Sequence, residues 1–151
     1  MTHLRLATDA DLPAIRQIAQ NSFAPYVPRI GKPPAPMVQD YAPFIAKQQV
    51  TVAEDNGRVA GFVVCLIVAD HLFVDAIAVD PIAQGRGIGR QLMQHAAWQA
   101  RRLGLPQVRL CTNVKMTENI ALYQRLGFIE TGRGEQDGFK RVFFGLSFGP
   151  E

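Results

Sequence analysis

The spacing of apolar and polar positions changes period several times along the chain, and each change marks an element. Leu4 and Leu6 alternate with polar neighbours, which predicts a short strand over His3 to Ala7. Thr8-x-x-Asp11 then reads as a capping-box variant that opens a helix. Leu12, Ile15, Ala19 and Phe23 recur on one face of that helix, with Pro13 tolerated near its first turn. Five prolines between Ala24 and Met37 predict a stiff extended loop. A second helix is expected from about Val38 to Lys47, carrying Tyr41, Phe44 and Ile45. Thr51 to Leu66 reads as a hairpin turning at Asp55-Asn56-Gly57.

Leu72 to Val79 is apolar on both faces except at Asp75, the signature of a central strand covered on each side. The next helix, about Gly87 to Leu103, directs Ile88, Leu92, Ala96, Ala100 and Leu103 inward and stops at Gly104. Gln107 to Thr112 is the following strand. Thr117 is expected to cap a helix from Glu118 to Leu126, closed by Gly127. Two strands, Phe128 to Thr131 and Phe139 to Phe148, flank a turn containing Gly132, Gly134 and Gly138. The order β-α-α-β-β-β-α-β-α-β-β predicts a mixed, largely antiparallel α/β sheet with helices on both faces. The 151 residues fit a single domain, 1–151, without repeats or linkers.

Composition narrows the function classes. A 48% hydrophobic and 19% charged chain is an ordinary globular one. No apolar run reaches the ~20 residues of a membrane span, and the N-terminus lacks a signal-peptide layout. Cys65 and Cys111 lie in strand-like segments and suggest no disulfide, so a cytoplasmic location is the default. Three histidines and two cysteines show no ligand spacing, and no metal is expected. A net charge of +3 suits an anionic ligand, but with no basic stripe it does not argue for nucleic acid.

The stretch Gln84-Gly85-Arg86-Gly87-Ile88-Gly89-Arg90 stands out, between an apolar strand and an amphipathic helix. Glycine in a first helical turn costs up to ~1 kcal/mol relative to alanine. Three at alternate positions instead supply bare N–H groups that a ligand can approach. Such a helix start favours an anion, typically phosphate. Arg86 and Arg90 oppose the helix dipole unless an anion sits there too. A Rossmann fingerprint fails, because the sixth position from Gly85 is Arg90. A Walker loop fails for want of Gly-Lys-Ser/Thr.

Gln84-x-x-Gly87-x-Gly89, after Val79 and Pro81, resembles the pyrophosphate loop of the GNAT N-acetyltransferase superfamily. Asn119-x-Ala121-x-Tyr123, ending in Leu126-Gly127-Phe128, resembles a second signature of that family. The resemblance implies the GNAT fold, with two central parallel strands splayed apart, and acetyl-CoA as cosubstrate. It implies that Gln84, Gly85, Arg86, Gly87, Gly89 and Arg90 lie on the pyrophosphate, the backbone N–H groups gripping it. Ile77, Ala78 and Val79 would offer backbone to the pantetheine arm, as a sheet edge accepts an added strand. Asn119 would bond the pantetheine side, and Tyr123 would both touch the cofactor and protonate the leaving thiolate. A free N–H near Ile77 would face the developing negative oxygen.

The general base is expected at Asp75, one methylene shorter than the glutamate many family members carry there; the other reading has this carboxylate bonding a backbone group within the sheet. Tyr123 and Asn119 likewise read either as site residues or as core tyrosine and helix cap. Tyr26, Arg29 and Tyr41 are candidate acceptor contacts, with Lys32, Met37, Arg133, Glu135 and Asp137 beside them. Cys111 reads as core. The implied activity is direct acetyl transfer to a primary amine of a small molecule or peptide. The rival reading is a CoA-binding regulatory or partner-binding module with little catalysis. A homodimer is frequent among lookalikes.

Overall fold

A computed structural model describes residues 2–148. One seven-stranded sheet runs in the order β1-β2-β3-β4-β5-β7-β6. Its strands are β1 (Thr2–Leu6), β2 (Val50–Asp55), β3 (Arg58–Val68), β4 (His71–Val79), β5 (Gln107–Asn113), β6 (Ile129–Gln136) and β7 (Phe139–Ser147). Every neighbouring pair is antiparallel except β4 and β5, which run parallel.

Two apolar clusters lie on opposite faces of this sheet. Helix α1 (Leu12–Phe23) buries Ile15, Ile18, Ala19 and Phe23 against Val52, Phe62, Val64, Ala76 and Ala78. The turn before it holds the expected capping box: the Thr8 N–H donates to Asp11 Oδ2 at 2.8 Å, and Arg5 grips the same carboxylate through two 2.8 Å bonds. Helix α5 (Ile88–Arg102) buries Ile88, Leu92, Met93, Ala96 and Ala100 against Val63, Leu72, Val74 and Leu110. Leu103, expected on the buried face, is 50% exposed, because the helix has already ended. Among the described residues no helix is long and apolar enough to cross a membrane.

Three expectations need correction. The proline-rich stretch is not an extended loop. It forms α2 (Val27–Ile30) and α3 (Ala35–Val38), with Pro28 and Pro36 in first turns, where the missing N–H has no intrahelical role. The helix expected from Val38 to Lys47 is interrupted at Gln39 (ψ 157°), and α4 (Ala42–Ala46) starts afresh with Pro43 in its first turn. In the last hairpin only Gly138 belongs to the turn, with Asp137; Gly132 and Gly134 lie within β6, an exposed edge strand.

Helix α6 (Thr117–Arg125) begins one residue earlier than expected, with Met116 in the capping position. The preceding turn is closed by Asn113, whose Oδ1 accepts from the Lys115 N–H at 2.9 Å. The Thr117 hydroxyl donates to Glu118 instead of capping the helix.

Candidate active site

The site begins where β4 and β5 part. Their ladder spans only Leu72–Val74 against Val108–Leu110. Beyond it β4 stays with β3, and β5 stays with β7 as far as Asn113. A wedge therefore opens between adjacent parallel strands, and among the described residues the β5-facing edge of β4 has no ladder partner from Asp75 onward.

A bulge accompanies the parting. Val64 pairs with Ala76 and Cys65 with Val74, so Asp75 is an extra residue with no opposite number. The insertion reverses which side chains face which helix. Leu72 and Val74 belong to the α5 side, Ala76 and Ala78 to the α1 side, and Ile77 and Val79 to the α5 side again. Asp75 sits at the changeover.

The wedge deepens into a cleft lined by Asp75 and Ile77 of β4, Cys111 and Asn113 of β5, and Met116, Asn119 and Tyr123 of α6 and its approach. Phe139 and Arg141 of β7 and Gln39 close its other sides. Asp75 is half-buried and Oδ2 accepts from Gln39 Nε2 at 3.0 Å. Its partner is thus a side-chain amide, not the backbone group of the alternative reading, and the break between α3 and α4 delivers it.

The Tyr123 ring packs edgewise on Phe128 and Phe144, with centroids 6.0 Å away in each case. Its hydroxyl meets the cleft with no hydrogen-bond partner among the described residues. Burial, above all, raises the phenol well above its ordinary value, so it stays protonated at neutral pH. Asn119 is half-buried and its amide lies 3.8 Å from Met116 Sδ. Cys111, expected in the core, lines the cleft, and burial raises its thiol too.

At the far end of β4 the chain turns through Pro81–Ala83, held by the Ile82 N–H on Asp80 Oδ1, and reaches the glycines. Gly85 (φ 85°) and Gly87 (φ 78°) take the left-handed backbone that other residues avoid. A Cβ built on either would meet nothing within 4 Å, so both face open space. The first backbone bond of α5 runs from the Gln91 N–H to Gly87 O. The N–H groups from Gly85 to Arg90 therefore have no acceptor among the described residues. A run of undirected donors at the positive end of a long helix, with no carboxylate in its first turn, fits a diphosphate.

Two loop residues depart from expectation. The Gln84 N–H is engaged with Pro81 O (3.4 Å) and its side chain reaches back to Val79 O (3.3 Å), so the free run starts at Gly85. Arg86 pairs with Asp55 at 2.6 Å, tying the loop to the β2–β3 turn. Arg90 is exposed. Ala78 is buried against α1 and offers only backbone.

The expected acceptor contacts scatter. Tyr41 is buried on Phe62 and donates to Pro36 O, so its phenol does not line the cleft. Arg29 holds Glu118 through bonds of 2.8 and 3.0 Å and lies over the Tyr26 ring. Arg133 pairs with Glu130, and Lys32 donates to Gly138 O. Gln39 and Arg141, which sequence reasoning passed over, line the cleft along with Asp75. Gly61 was also missed. A Cβ there would sit 2.9 Å from Ala78 O and 3.2 Å from Leu92, which is how closely α5 rides on β3.

Splayed parallel strands, a donor-rich helix start at the end of one of them and a carboxylate and phenol in the wedge define the class: an acyl-coenzyme A transferase architecture. The sequence model described as Acetyltransferase (GNAT) domain matches residues 46–130, and the chain belongs to that family. It is 36% identical over 75 residues to the [ribosomal protein bS18]-alanine N-acetyltransferase of Escherichia coli (strain K12), a match covering 50% of this chain and 51% of that protein. The chain thus spans about half the length of these curated relatives. It is 34% identical over 107 residues to the peptidyl-lysine N-acetyltransferase YjaB of Salmonella typhimurium, covering 71% of this chain and 66% of the other. Among solved structures, the E. coli ribosomal-protein-S18-alanine N-acetyltransferase superposes with a TM-score of 0.75 at 26% identity, over 100% of this chain and 97% of that one. The PaiA N-acetyltransferase of Thermoplasma acidophilum in complex with coenzyme A shares the fold, with a TM-score of 0.81 at 16% identity over 98% and 99%.

Proposed function

We propose that this protein transfers an acetyl group from acetyl-CoA to a primary amine by direct attack within a ternary complex. The observation that carries the reading is continuity. The free N–H run from Gly85 to Arg90 lies at the end of the same strand whose unpaired edge leads to Asp75, with Tyr123 across the wedge.

Bound there, acetyl-CoA supplies an activated acetyl thioester. The main chain from Gly85 to Arg90 holds the diphosphate, and the open edge of β4 from Ile77 to Val79 orients the pantetheine arm. Asn119 stands beside that arm. An N–H on the β4 edge near Ile77 faces the carbonyl oxygen on which negative charge develops. Asp75, steadied by Gln39, takes the proton from the attacking nitrogen, directly or through a water. Tyr123 Oη, protonated at neutral pH, returns a proton to the departing sulfur. The relatives' names, a ribosomal-protein alanine and a peptidyl lysine, support a peptide or protein amine as acceptor.

Calorimetry with coenzyme A, followed by thiol release from acetyl-CoA over a panel of amines, tests this. Micromolar binding with thiol release that Tyr123→Phe slows at least tenfold is expected. Absence of any CoA heat from the folded protein overturns the proposal.

A further inference from the structure

We infer that the acceptor carries a carboxylate as well as its amine, and that Arg141 is the residue that selects it. The inference rests on the transfer reading above and adds the acceptor's chemistry to it.

Among the described residues lining the cleft, the charges are Asp75 on β4 and Arg141 on β7, with β5 between. They form no ion pair with each other. Cys111 lies between them on β5, its Sγ 3.9 Å from Arg141 Nη1. Arg141 Nη1 also donates to Gln136 Oε1 at 2.8 Å, which fixes the guanidinium beside the Phe139 ring. Its Nε and Nη2 have no acceptor among the described residues.

Among the described residues, other arginines either hold a carboxylate, Arg5 with Asp11 and Glu54, Arg16 with Asp40, Arg29 with Glu118, Arg86 with Asp55 and Arg133 with Glu130, or are exposed to solvent. Arg141 is half-buried in a partly apolar cleft and has no carboxylate among the described residues. A cation stripped of part of its water without an anion is unfavourable unless a ligand supplies one. The guanidinium fork matches a carboxylate through two parallel bonds. An acceptor whose ammonium approaches Asp75 and whose carboxylate reaches Arg141 satisfies both charges at once. A free amino acid or an acidic residue beside a peptide amine supplies the same pair of groups.

The test measures thiol release with L-amino acids against their carboxamides, and with peptides of Ala-Glu against Ala-Gln type. Wild-type protein is expected to favour the acid over the amide at least tenfold in kcat/KM. In Arg141→Gln that preference should fall to about one, through KM, and Arg141→Lys should recover part of it. The amino-acid and peptide arms identify which source is used. Equal use of acid and amide by the wild type overturns the inference, as does an equal loss on both in Arg141→Gln. Weakened coenzyme A binding in Arg141→Gln with the acid preference intact also overturns it.

If no amine is turned over, the transfer reading has failed, and calorimetry with the same acids and amides judges Arg141 separately. Heat from acids alone, lost in Arg141→Gln, supports the anion site. No difference between acid and amide removes it.

Discussion

The two sides of the cleft are built from different materials. On the cofactor side, the proposed contacts are mostly main-chain N–H and C=O groups, displayed by left-handed glycines and an open strand edge, with Asn119 and Tyr123 near the thiol end. On the acceptor side they are side chains brought from distant parts of the sequence: Gln39, Asp75, Cys111 and Arg141. A main-chain cradle is indifferent to what surrounds it, so one coenzyme is held in one way. A side-chain pocket changes with each substitution, which lets the same scaffold serve different amines.

The sharpest way to break this contrast is Asp75→Asn. It keeps the carbonyl that accepts from Gln39 but removes the base, and kcat should fall about 10²- to 10⁴-fold. Coenzyme A affinity, read by calorimetry, should hardly move; a parallel loss of affinity would mean the two sides are not separate. Gly87→Val tests the other side. Valine at φ 78° is strained and puts a side chain over the free donors, so coenzyme A should bind about 100-fold more weakly while circular dichroism shows the same fold.

Gly61→Ala asks how firmly the cofactor side is packed. A methyl 2.9 Å from Ala78 O forces α5 or β4 to shift, and chemical denaturation should show a loss of about 2 kcal/mol. Asp11→Asn asks the same of the acceptor side, where α1 is anchored. The Arg5 guanidinium, chiefly, holds the Asp11 carboxyl down to about 2, and its side chain is only 9% exposed. Folding therefore favours the ionised form. That stabilisation, roughly 2 kcal/mol, is present above about pH 4 and disappears as pH falls through 2. Denaturation of the variant should show a smaller pH dependence than wild type across this window; matching slopes would place the anchoring elsewhere.

The same contrast explains what the sequence made legible. Glycine spacing reports backbone geometry directly, so the loop before α5, the Asn56-Gly57 turn and the stops at Gly104 and Gly127 could all be read locally. The pairing of Arg29 with Glu118 spans 89 positions, and nothing near either residue announces it. Which arginines found carboxylates, and so which one was left facing the cleft, depended on such distant pairs. Gln39 was hidden for another reason. Its place follows from prolines that open new helical turns on either side of it, where the sequence suggested an extended loop up to Met37 and one helix from Val38 to Lys47. The bulge left no mark either, since Asp75 interrupts an apolar strand whether or not it is paired.

That single unopposed residue makes β4 sensitive to length as well as to chemistry. Removing one position at 75 would restore an unbroken alternation, with Ala76 and Ala78 still toward α1 and Ile77 and Val79 still toward α5. The strand would rejoin its parallel neighbour and the wedge would zip shut. A point substitution at 75 would change the chemistry and leave the bulge in place, whereas a one-codon deletion would remove the bulge itself.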